Sequence, residues 1–69
     1  MSYPLRKVMK ALADRGYVVI REGSRHTIVG KPGERGEPVP RHDEVNRITM
    51  RRIAKNLNIE WASFEAEIR

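Results

Sequence analysis

Gly16-Tyr17-Val18-Val19-Ile20-Arg21-Glu22-Gly23-Ser24-Arg25-His26-Thr27-Ile28-Val29-Gly30 is the stretch from which the fold is read. Tyr17 to Arg21 and Arg25 to Val29 are rich in β-branched and aromatic side chains, which suit a pleated, half-buried surface. Glu22-Gly23-Ser24 between them predicts a turn, and so short a connection makes the pair an antiparallel hairpin. Gly30 to Gly36 carries three glycines and one proline and predicts a loop. A third, short strand is expected around Glu37 to Val39. The prolines flanking Val39 cannot donate to a ladder, so this strand belongs at an edge.

Helical periods lie on either side of the strands. Leu5, Val8, Met9 and Leu12 recur at i, i+3, i+4 and i+7 and predict a helix over residues 4–15. Pro4 suits its first turn and Gly16 the position just past its end. Arg41 to Arg47 is polar and without period, and Asp43-Glu44 reads as a solvated loop pair or a helix cap. A second helix is expected to open at Thr49 as N-cap, with Met50, Ile53, Ala54 and Leu57 as its apolar stripe and Arg51, Arg52 and Lys55 off it. Asn58 would end it. Residues 59–68 are compatible with a short third helix, with Trp61 and Phe64 read as core rather than as a base-stacking platform because the tail around them is acidic.

The fold class is therefore α+β, an αβββα order with a short C-terminal helix and a three-stranded antiparallel sheet covered on one face. With a basic surface, this order describes double-stranded-RNA-binding-like folds, which read RNA by shape and backbone charge. One domain over residues 1–69 is expected, its core at about 4–57 and a helical extension at 58–69.

Composition narrows the function classes. The chain has 69 residues and no cysteine, which excludes a disulfide scaffold, a thiolate metal site and a cysteine nucleophile. A domain of this size buries only about 60% of its unfolded surface and is marginally stable. Neither a membrane-spanning run nor a signal peptide is read, so a cytoplasmic location without membrane association is expected. The net charge is +5, and the sequence pI is near 10.2. Residues 1–55 hold thirteen bases against six acids, and residues 56–69 hold Glu60, Glu65, Glu67 and Arg69. A basic body of this kind is either a solubilising surface or the footprint of a polyanion partner. Arginine dominates, and its planar fork fits phosphate and stacks on bases.

Only His26 and His42 suit proton transfer near neutral pH. RNA brings its own 2′-OH nucleophile, so a histidine and a few arginines could cleave it without metal. By spacing alone, His26 reads as a half-buried strand histidine near a turn rather than as a catalytic group. It shares a strand face with Ile28, opposite Arg25, Thr27 and Val29. The two histidines lack metal-ligand spacing, so no metal or other cofactor is expected. Ser24 is an ordinary turn serine or a phosphate contact.

Four motifs taken together go further. Gly16-Tyr17, Gly23-Ser24-Arg25-His26, Val39-Pro40-Arg41-His42 and Thr49-Met50-Arg51-Arg52-Ile53-Ala54-Lys55 resemble the HicA (YcfA-like) toxin family over about Leu5 to Ile59. The resemblance implies a metal-independent mRNA interferase with a double-stranded-RNA-binding-like fold, neutralised by a HicB-type antitoxin. It puts the catalytic histidine at His26. It makes His42 an RNA-contacting or structural residue. Arg25 stands where the family often has histidine, and Ile48 where it usually has glycine. Ser24, Arg25, Arg41, His42, Arg47, Arg51, Arg52 and Lys55 form the expected RNA-binding set. A non-catalytic RNA-binding module and a purely protein-binding subunit are the rival readings.

Overall fold

The computed structural model describes residues 1–69. In chain order the elements are β1 (Ser2–Pro4), α1 (Leu5–Asp14), β2 (Val18–Glu22), β3 (His26–Gly30), β4 (Glu37–Pro40), β5 (Glu44–Asn46), α2 (Arg47–Asn56) and α3 (Trp61–Ile68). The fold is α+β, with a three-stranded antiparallel sheet in the order β2-β3-β4 and three helices. No helix is long and apolar enough to cross a membrane.

Three expectations need correction. Arg41 to Arg47 is not an aperiodic loop. Glu44–Asn46 forms β5, which pairs antiparallel with β1 in a separate two-stranded ribbon. Tyr3 faces Val45 in that ribbon and both are buried. The ribbon ladder is extended by Leu5 N–H donating to the Asp43 carbonyl and Arg47 N–H donating to the Met1 carbonyl. The Glu44 carboxylate accepts from Ser2 Oγ at 2.7 Å. Asp43 and Glu44 thus belong to pairing, not to a free loop. The second correction is the start of α2. Its N-cap is Asn46, whose Oδ1 accepts from the Thr49 backbone N–H at 2.8 Å. Thr49 is the donor at N3, so the capping signal lay three residues upstream. Pro4 likewise precedes α1, at its N-cap, rather than within its first turn.

Both long helices end on the same device. Gly16 has φ +90°, with Gly16 N–H bonded to Ala13 and Tyr17 N–H to Leu12. Asn58 has φ 60°, with Asn58 N–H bonded to Lys55 and Ile59 N–H to Ala54. These are Schellman endings, which satisfy the terminal carbonyls by one left-handed residue. Asparagine tolerates that conformation better than most non-glycine residues.

The core is one cluster. Val8, Ala11 and Leu12 of α1, Val29 and Val39 of the sheet, and Met50, Ile53 and Ala54 of α2 meet Tyr3, Val45, Phe64 and Ile68. The acidic residues of α3 are turned to internal partners. Tyr3 Oη donates to Glu65 at 2.6 Å, and burial first, then this bond, holds the phenol above its usual range. Arg15 grips Glu67 with Nη1 and Nη2, at 2.9 and 2.6 Å. That fork holds the Glu67 carboxyl below its ordinary value of 4.5. A carboxyl depressed in the folded state contributes stability that is present above its unfolded value and lost as pH falls through the folded one. Urea midpoints measured from about pH 6 down to about pH 3 should therefore decline, and Glu67→Gln should flatten part of the decline. Equal slopes for the two proteins would show that the fork does not bear on stability.

Candidate functional site

His26 opens β3 on the face of the sheet that no helix covers. Its register partner is Pro40, and Ile28 faces Pro38 on the same side, while Thr27 and Val29 face Val39 and Glu37 inward. Thr27, Val29, Val39 and Glu37 are buried, whereas His26 is exposed. The two-residue period places the imidazole outward; strand parity groups His26 with Ile28 without saying which face is open, and the exposed position differs from the half-buried histidine that spacing suggests.

The prolines cost the ladder nothing. Arg41 N–H donates to the Arg25 carbonyl at 3.0 Å, so hydrogen-bonded pairs alternate from there and Pro38 and Pro40 fall at the non-bonded ones. Their missing N–H groups would have pointed away from β3. The outer edge of β4 is thereby blunted against a further strand. Arg52 covers that edge as well, donating from Nη2 to the Pro38 carbonyl at 3.2 Å.

A shallow cleft of about 300 Å³ surrounds the imidazole. Gly23, Ser24 and Arg25 of the turn form one wall, and Ile28, Pro38 and Arg21 complete it. Arg21 was absent from the sequence-predicted set. The reason is a bulge: the β2–β3 register shifts between Val19 and Arg21, so Arg21 opposes Ile28 instead of Thr27. One inserted residue moves a side chain to the other face of a sheet. Here it brings a second cation to the His26 face, beside Arg25. Nothing in the alternation of Val18-Val19-Ile20 announces the bulge. Glycine makes room for the displaced residue, since a Cβ on Gly30 would lie 2.7 Å from Ile20 Cδ1.

The turn that carries the cleft is tied from outside. Gly23 N–H donates to the His26 carbonyl at 2.8 Å, and Arg41 Nη1 donates to the Gly23 carbonyl at 2.6 Å. Arg41 also lies 3.9 Å from Glu22, an exposed pair of little energetic weight. Arg41 thus holds the Gly23-Ser24-Arg25 turn against β4. His42 is exposed and does not line the His26 cleft, so the two histidines are not brought into one site.

The remaining predicted cations lie on α2. Arg52 places Nε 3.4 Å from the buried Glu37 carboxylate, which also accepts from Asn56 at 3.1 and 3.2 Å. Arg47 lies 3.8 Å from Glu65. Arg47 and Arg51 rest over the Trp61 ring, 5.7 and 5.2 Å from its centroid. Arg25 and Lys55 make no ion pair, which leaves their charges free for an outside anion. Trp61 is half-buried and packs against the core, as expected, with the Arg47 and Arg51 cations over its ring, while Phe64 is fully buried. No group of three or more potential ligating side chains comes together anywhere in the chain.

Fold, charge and cleft together define a small double-stranded-RNA-binding-like α+β domain with an exposed histidine between arginines on its open sheet face. The chain belongs to the HicA toxin family, whose model, described as the HicA toxin of bacterial toxin–antitoxin systems, matches residues 5–59. It is thus a member of a toxin family, and the family implies an antitoxin partner. No curated protein and no solved structure matches the chain.

Proposed function

We propose that this protein is a metal-independent endoribonuclease acting on mRNA, with His26 as its proton-transferring residue, and that a HicB-type antitoxin neutralises it. The observation that carries the reading is the exposed His26 imidazole in a cleft walled by Ser24, Arg21 and Arg25. The step needs no outside reactant. The RNA 2′-oxygen attacks the adjacent phosphorus, the bond from phosphorus to the 5′-oxygen breaks, and a 2′,3′-cyclic phosphate and a 5′-hydroxyl result. One proton leaves the 2′-OH and one reaches the 5′-oxygen. His26 performs one of these transfers. Arg21 and Arg25, which line the same cleft, would supply cations to the charge that accumulates on the phosphorane oxygens, and fixed donors aimed at developing charge lower the barrier. A cationic face around the cleft suits an acidic antitoxin as well as RNA, since complementary potentials steer both partners.

The test is incubation of a long single-stranded RNA with the protein in excess EDTA. Fragments ending in 2′,3′-cyclic phosphate are expected. A mobility shift without cutting would replace the enzyme by an RNA-binding module. Binding has its own check. Arg25→Ala should weaken single-stranded RNA binding and lower the magnitude of the log K against log salt slope by about 0.7, the value for one lost phosphate contact. An unchanged slope would remove Arg25 from the phosphate-binding set.

A further inference from the structure

Trp61 lies just beyond the segment that matches the family, at the start of α3. Its ring meets Tyr3 edge-on at 6.0 Å between centroids, which fixes it against the core. Beside it opens a pocket of about 500 Å³. Ala54, Ile59 and Trp61 supply its apolar surface, and Arg51, Arg52 and Lys55 supply its charge. No carboxylate lines it. The pocket shares no lining residue with the His26 cleft, yet the two adjoin. Arg52 lines the pocket and donates to the carbonyl of Pro38, which lines the cleft.

We propose that this pocket receives one unpaired nucleobase of single-stranded RNA, with flanking phosphates on Lys55 and Arg52, and that the strand continues around the β4 edge to His26. The inference rests on the RNA reading above and adds a site for the strand away from the reacting phosphate. The volume is in the range of small-ligand pockets. A base presents a flat π face that stacks on aromatic rings and guanidinium planes, and its backbone brings negative charge. Trp61 and Arg51 provide the first match, and Lys55, which has no ion-pair partner, provides the second. A base within a duplex is already stacked on both faces and cannot enter. An acidic protein segment would satisfy the cations but leave the aromatic and apolar surface without its match.

Trp61 is the only tryptophan in the chain, so its emission reports on this pocket alone. The full chain carrying His26→Ala, chosen so that the probe is not cut, is titrated with labelled octauridylate, a blunt RNA duplex and inorganic polyphosphate. Octauridylate is expected to quench Trp61 as it binds, and the other two to bind without comparable quenching. Trp61→Leu keeps apolar volume and should weaken octauridylate binding, read by anisotropy, about tenfold. Lys55→Gln, an exposed change that leaves the core intact, should weaken it about threefold and keep the quench. If Trp61→Leu does not fold, the quench and Lys55→Gln decide. Octauridylate binding with no quench and no loss in these variants would overturn the pocket while leaving the RNA reading intact. No RNA binding at all would overturn both. Quenching by polyphosphate to the same degree would reduce the pocket to an anion site and overturn the base-binding claim.

Discussion

His26→Ala should abolish RNA cleavage while leaving the unfolding free energy from urea titration within about 0.5 kcal/mol of wild type, the usual range for a surface change. Both halves follow from one placement. His26 lies on the uncovered sheet face, and its side chain has no hydrogen bond within the protein. What holds the turn is main chain: the His26 carbonyl accepts from Gly23 N–H, a bond that alanine keeps. Losing the imidazole therefore removes no packing and strands no polar group. On the chemical side, no second proton-transfer group lines the cleft, since His42 lies outside it and its other lining side chains are Arg21, Ser24, Arg25, Ile28 and Pro38. General acid–base catalysis by one placed group contributes about 10²- to 10⁴-fold, so the variant's rate should fall by at least two orders of magnitude. The decisive comparison is cleavage of a long RNA in EDTA by wild type and variant, beside an RNA-binding titration. If the variant unfolds, His26 is structural. If it cuts at the wild-type rate, the proton transfer belongs elsewhere.

Although parity does not say which face lies open, the sharing of one strand face by His26 and Ile28 was legible, because strand parity is a local rule. So was the β2–β3 hairpin, whose strands are nearly continuous runs of β-branched residues around a glycine turn. The β1–β5 ribbon was not. Each of its strands has three residues and buries one central side chain, Tyr3 or Val45, so no alternation can be seen along the chain. Its pairing joins residues forty or more positions apart. Arg21 escaped for a different reason, because a bulge changes facing without changing composition. Trp61 was assigned by the charge of its sequence neighbours. Its packing against the core agrees with that assignment, but the cations of α2 over its ring could not be read from sequence neighbours.

Phe64→Ala should come close to unfolding the domain. Phe64 is fully buried, belongs to the same cluster as Leu12, Val39 and Ile53, and has the Arg15 guanidinium 5.3 Å from its ring. Removing a buried phenylalanine costs about 3 to 5 kcal/mol, combining the lost transfer free energy with the cavity left behind. A chain of this length, at roughly 0.05 to 0.15 kcal/mol per residue, has about 3 to 10 kcal/mol in total. The loss is then a large fraction of the whole, and for a protein at the low end it is all of it. Phe64 lies outside the segment that matches the family, so the result also decides what α3 is for. The core residues Phe64 and Ile68 close the cluster between α1 and α2, and the Arg15–Glu67 fork fastens the helix from outside. Urea unfolding followed by circular dichroism provides the measurement. A stability loss below about 0.5 kcal/mol, the size of an ordinary surface substitution, would mean that α3 is a loosely attached appendage and that the family-matched segment carries the core without it.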